Sequence, residues 1–100
     1  MSLLERAWRV PPDHPAFAGH FPGQPILPGV VLLDEALRAA RELAPGARGW
    51  GLPQAKFLQA VRPGDELRLS LSALPRAGFA FVFTRGGEPV ATGQLRPVDA

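Results

Sequence analysis

Apolar and polar residues alternate strictly through Leu67-Arg68-Leu69-Ser70-Leu71-Ser72. A period of two predicts a strand with one buried and one wet face. Phe79 to Thr84 repeats the pattern and puts Phe79, Phe81 and Phe83 on one face, where they read as sheet packing rather than an acyl-binding surface. Arg85-Gly86-Gly87-Glu88 predicts a hairpin turn into a last strand, Val90 to Leu95. Trp50 to Leu58 is a further strand. Proline supplies no ladder N–H, so Pro53 predicts an edge or irregular position for it. Pro63-Gly64-Asp65 is a turn by composition. Leu3 to Val10 reads as a short strand ended by Pro11-Pro12.

Between the first and second of these strands the pattern changes. Residues 11 to 29 hold Pro11, Pro12, Pro15, Pro22, Pro25 and Pro28, half of the twelve prolines, which argues against regular structure there. A chain so constrained loses less entropy on ordering than a glycine-rich one. Val30 to Ala44 then offers Leu, Ala, Glu and Arg without Gly or Pro, and Pro45-Gly46 stops it, so a helix is predicted. Helical geometry gathers Asp34, Glu35, Arg38, Arg41 and Glu42 into a sector about 120° wide. The remaining surface, with Val30, Leu33, Leu37 and Ala40, is apolar and is expected to be buried inside a curved sheet. One helix followed by an antiparallel meander is α+β, and without repeats or linkers residues 1–100 read as one domain.

A chain of 100 residues with a 46% hydrophobic share is globular but small. It has no cysteine, hence no disulfide or thiolate site, so oligomerisation is a reasonable source of extra buried surface. The pI of about 10.4 misleads. Net charge is only +2, and all the basic residues except Lys56 are arginines scattered from Arg6 to Arg96. Nucleic-acid binding needs a basic patch or stripe, which is not seen. No charged leader with an apolar core opens the sequence, and Ile26 to Leu33 is far short of the ~20 residues that span a bilayer. A cytoplasmic protein is expected.

The chemistry concentrates in Gly19-His20-Phe21-Pro22-Gly23-Gln24-Pro25-Ile26-Leu27-Pro28-Gly29 and the helix behind it. This segment puts an imidazole, His20, in a stiff loop, a helix N-terminus free of side-chain bulk at Gly29, and a carboxylate, Asp34, on the second helical turn. Taken alone, a histidine of this kind is more often a plain loop residue, and Asp34 heads a solvated polar stripe. His14 reads as a loop residue, and two histidines without a third ligand make no metal site. Trp8 and Trp50 read as core or interface residues.

His-Phe-Pro-Gly-x-Pro-x-x-Pro-Gly, followed by apolar residues and an acid, resembles the active-site segment of the 3-hydroxyacyl-acyl-carrier-protein dehydratases. Lys56-Phe57-Leu58 and Val61-Arg62-Pro63-Gly64-Asp65-Glu66-Leu67 resemble the strand and turn that follow that family's helix, and the similarity spans roughly residues 13 to 95. It implies a hotdog fold, an antiparallel sheet wrapped around one central helix. The implied lyase activity is dehydration of a 3-hydroxyacyl thioester to a trans-2-enoyl thioester in fatty acid or related acyl-chain synthesis. His20 would take the Cα proton and Asp34 would protonate the leaving hydroxide. Backbone N–H groups at Gly29 and Val30 would bind the thioester oxygen, because the first amides of a helix lack internal partners. Phe21 would line the site. No cofactor is implied. The implied partners are an acyl carrier protein, docked by Lys56, Arg62 or another arginine, and a second copy of the chain, the homodimer sharing His20 and Asp34 between subunits.

The sequence departs from the family at Arg38, where glutamine is frequent. A guanidinium one turn after Asp34 favours its ionised form. A general acid at neutral pH needs the opposite, by roughly 4 kcal/mol. Burial among Phe21, Val30 and Leu33 would supply this, and Arg38 turned outward to Glu42 would not oppose it. Two other readings share the fold. An acyl thioesterase would use the helix carboxylate without the histidine loop, and a non-catalytic module would only bind carrier protein or support an active partner.

Overall fold

The computed structural model describes residues 2–17 and 26–98, which in chain order form β1 (Leu4–Arg9), a 3-10 turn (Pro15–Phe17), α1 (Gly29–Leu43), β2 (Gly49–Phe57), β3 (Glu66–Ala73), β4 (Phe79–Arg85) and β5 (Glu88–Val98). The five strands make one antiparallel sheet in the order β1-β3-β4-β5-β2. β2 thus lies at an edge, and its pairing to β5 shifts between Gly51 and Gln54, around Pro53. The proline-rich stretch is not wholly irregular. Phe17 N–H donates to His14 O at 3.0 Å and closes the short 3-10 turn.

Cross-strand register builds the core. Leu71, Phe81, Gly93 and Ala55 form one row across the sheet, and Leu69, Phe83, Ala91 and Phe57 the next. Phe81 and Phe83 are fully buried and meet edge to face, and Trp8 and Trp50 lean on Phe83 and Phe79 from either side. The glycine in the first row is a packing requirement. A β-carbon at Gly93 would stand 2.5 Å from the Phe81 ring and 2.6 Å from Gln54 O. The predicted β4–β5 turn forms with Gly86 and Gly87 at φ 59° and 86°, the left-handed values that a two-residue hairpin demands.

Helix α1 buries Leu32, Ala36, Ala39 and Ala40 against this face, a stripe whose three alanines admit close approach. Leu33 and Leu37 are only partly buried, and Val30 is 68% exposed. The expectation that Val30 would be buried is therefore corrected. It lies on the first turn, well around the helix from the Leu32 stripe. The second row also fixes how the helix lies. At one end Arg6 Nη2 donates to Glu42 Oε1 at 2.7 Å near the α1 C-terminus, and at the other Phe57 meets Gly29 at its N-terminus. The hydrogen bond from Arg6 holds the Glu42 carboxyl below its ordinary range. This contact stabilises the fold above that range and stops doing so as pH falls through the folded value. One helix on one antiparallel sheet is the expected hotdog arrangement. No helix among the described residues is long and apolar enough to cross a membrane.

Candidate active site

The helix entrance has no side-chain cap among the described residues. Pro28 sits at the N-cap in extended conformation (φ −60°, ψ 141°), and its carbonyl accepts from Val31 N–H at 3.0 Å. Proline fixes φ and Gly29 adds no bulk, so the chain turns abruptly into α1. Just before it, Leu27 N–H donates to Val61 O at 2.7 Å, tying the end of the proline-rich segment to the β2–β3 connector. His20 and Phe21, two of the expected site residues, lie outside the described residues. Gly29, Val30, Asp34 and Arg38 can all be placed.

Two grooves flank the start of α1. The first, of about 280 Å³, has Ile26, Leu27 and Gly29 on one side and Phe57, Leu58 and the connector residues Gln59 to Val61 on the other. The Phe57 ring roofs Gly29 so closely that a β-carbon there would fall 2.6 Å from Cζ. The second, of about 210 Å³, is apolar along Val30, Leu33 and Leu37 and along Trp50, Leu52 and Leu95, with Asp34 as its carboxylate. Trp50 therefore does more than pack, since it also lines the groove that carries Asp34.

Asp34 is bound. Arg38 Nε donates to Asp34 Oδ2 at 3.2 Å, and Arg38 Nη1 stands 4.0 Å from Glu35 Oε1. The outward contact from Arg38 to Glu42 is not made, because Arg6 holds Glu42 instead. With side chains 64% and 52% exposed, the Arg38–Asp34 pair is a solvated contact of ~1 kcal/mol or less. Among the described residues no group of three His, Cys, Asp or Glu is arranged to hold a metal.

Sequence reasoning missed Phe57 over Gly29 and Arg85. The guanidinium of Arg85 donates to Asp65 Oδ2 (2.7 Å), Ala60 O (2.9 Å) and Gln59 Oε1 (2.8 Å), all in the connector that walls the first groove. Phe57-Leu58 was a usable signal. Two large apolar neighbours at a strand end cannot both face the core, and both are in fact half exposed. Arg85 carried no such mark.

Comparison with known proteins gives these residues a family. The ApeI-like family model, described as ApeI dehydratase, matches residues 2–94. The 3-hydroxyacyl-[acyl-carrier-protein] dehydratase FabZ of Chlamydia trachomatis serovar L2 is 41% identical over 98 residues, covering 83% of this chain and 63% of that protein. The chain thus spans less than two thirds of the length of this curated relative. An uncharacterised protein of known structure from Erwinia carotovora subsp. atroseptica is 33% identical, with a TM-score of 0.70 over 94% of this chain and 82% of its own. The dehydratase heterocomplex ApeI:P from Xenorhabdus doucetiae superposes with a TM-score of 0.83 at 24% identity, over 99% of this chain and 97% of that one. That match corrects the expected homodimer, with its site shared between two identical subunits, since the matched fold occurs there in a complex with a distinct protein. The resemblance to the carrier-protein dehydratases is likewise narrowed, and the chain belongs to the ApeI-like dehydratase family.

Proposed function

We propose that this chain dehydrates a 3-hydroxyacyl thioester to the 2-enoyl thioester, as a dehydratase of the ApeI type. The observation that carries the proposal is Asp34, set on the second turn of α1 in the wall of an apolar groove, fourteen residues after His20 in a matched dehydratase sequence. His20 takes the proton from Cα. The Cα–H electron pair forms the double bond as the Cβ–O bond breaks, and Asp34 delivers a proton to the departing hydroxide, releasing water. The thioester oxygen gains charge during this step and is held by the Gly29 and Val30 amides, which no side chain among the described residues caps. Phe21 serves as a substrate-binding residue, the role that the family resemblance implies. The acyl chain lies along Leu33, Leu37 and Trp50, and the carrier is an acyl carrier protein, as the name of the curated relative states for that protein. The chain works beside a distinct partner, as in the ApeI:P heterocomplex.

The Arg38–Asp34 ion pair favours a second reading, in which this chain is the non-catalytic member of such a complex and only supports an active partner. Hydration of a 2-enoyl thioester, followed by loss of enoyl absorbance, separates the two. The first reading expects His20→Ala and Asp34→Asn each to lower the rate by at least ~100-fold in the assembled protein. Full activity in an assembly containing His20→Ala would support the second.

A further inference from the structure

The connector between β2 and β3, residues 58 to 65, is irregular, yet it forms one wall of the groove beside Gly29. Irregular backbone at a site must be held by something, and here the strongest holder comes from a different element. Arg85, the last residue of β4, is 30% exposed and spends its guanidinium on three acceptors of the connector. Asp65 Oδ2, one of those acceptors, also receives Arg62 N–H at 2.9 Å, so the same carboxylate closes the turn at residues 62–65. Between these two anchor points lies Val61, 2% exposed, whose carbonyl accepts Leu27 N–H. Leu27 is two residues from Gly29.

We propose that Arg85 is a positioning residue for the dehydratase site, acting through Ala60, Asp65 and Val61 to fix the entrance of α1. The inference rests on the dehydratase reading above. A planar guanidinium can serve all three acceptors at once in fixed directions, which a lysine ammonium on a flexible stem does not. Loosening the connector leaves Gly29 and Val30 on the helix but lets the entrance shift against the groove wall. Sub-ångström placement matters here, since misplacement by ~1 Å can cost ~100-fold in rate.

The test uses the full chain, alone and assembled with its native partner, with Arg85→Gln, Arg85→Lys and Arg85→Ala compared with wild type. Three quantities are read: kcat and KM for hydration of a 2-butenoyl thioester, amide exchange, and the urea unfolding midpoint. Arg85→Gln is expected to lower kcat by ~10–100-fold with KM within about twofold. Leu27 N–H should exchange at least ~10-fold faster while Leu69 and Phe83, in β3 and β4, stay protected. Arg85→Lys should fall between, and added guanidinium should restore part of the Arg85→Ala loss. Unchanged kcat in Arg85→Gln beside an active wild type overturns the inference alone, as does equal acceleration at Leu27, Leu69 and Phe83. An inactive wild type overturns the dehydratase reading, and the positioning role falls with it.

Discussion

Asp34 and Arg38 were legible as neighbours because a helix brings residues four apart together wherever it forms. Which partner Arg38 takes was not legible. That choice depends on Arg6, thirty-six residues from Glu42 in sequence and on another element, which removes the competing carboxylate. The ion pair is exposed on both sides, so its hold on Asp34 is small. Arg38→Gln should therefore raise kcat/KM for enoyl hydration, but by no more than about fivefold, the factor that ~1 kcal/mol allows. A pH–rate profile of the variant against wild type reads the change directly. A rise far beyond fivefold would mean that the pair is dried out by a covering partner, where charge contacts strengthen. Phe57 teaches a related lesson at Gly29. A side chain that looks like ordinary strand packing lies over backbone that the proposed chemistry uses, and only the register with Ala91 places it there.

Strands and helix were read almost whole, because most of them bury one face and so write a period into the chain; β2, with no buried residue, is the exception. Leu67, Leu69 and Leu71 are buried, and Phe81 and Phe83 continue their rows. Pro53 pointed to an edge or irregular position for β2, and the strand has both features, since an inner strand would leave a carbonyl opposite without a donor. Small irregularities escaped notice. The register shift between Phe83 and Thr84 lets Val90 and Ala91, adjacent in sequence, both be buried. Gly93 is another case, a gap shaped by Phe81 and by Gln54 O. Phe81 is fully buried and the carbonyl is backbone, so neither can yield. Gly93→Ala should cost about 1–3 kcal/mol, seen as a lower urea midpoint with an unchanged slope. Gly29→Ala should cost less than Gly93→Ala in the same experiment, because Phe57 is half exposed and its ring can swing into solvent.

At the scale of the molecule, the fold was legible through the family resemblance and the assembly was not, because partner choice is written on surfaces that have no period. β2 leaves one edge of the sheet unpaired among the described residues, and around it stand Ile26, Val30, Leu52, Phe57 and Leu58, all more than 40% exposed. An edge strand flanked by apolar side chains is a surface to be covered. Under the proposed heterocomplex, Leu52→Lys should therefore block assembly with the partner while leaving the fold intact. Sedimentation of the chain mixed with that partner, beside a urea midpoint within ~0.5 kcal/mol of wild type, checks both halves. The alanine stripe of α1 carries a further consequence. Ala36, Ala39 and Ala40 let the helix settle close to the sheet, and both grooves described beside α1 open at its margin. Under the proposed heterocomplex their far walls belong to the partner. On that reading acyl preference becomes a trait of the pair, so exchanging the proposed companion would redraw the substrate range of this chain without changing one of its codons.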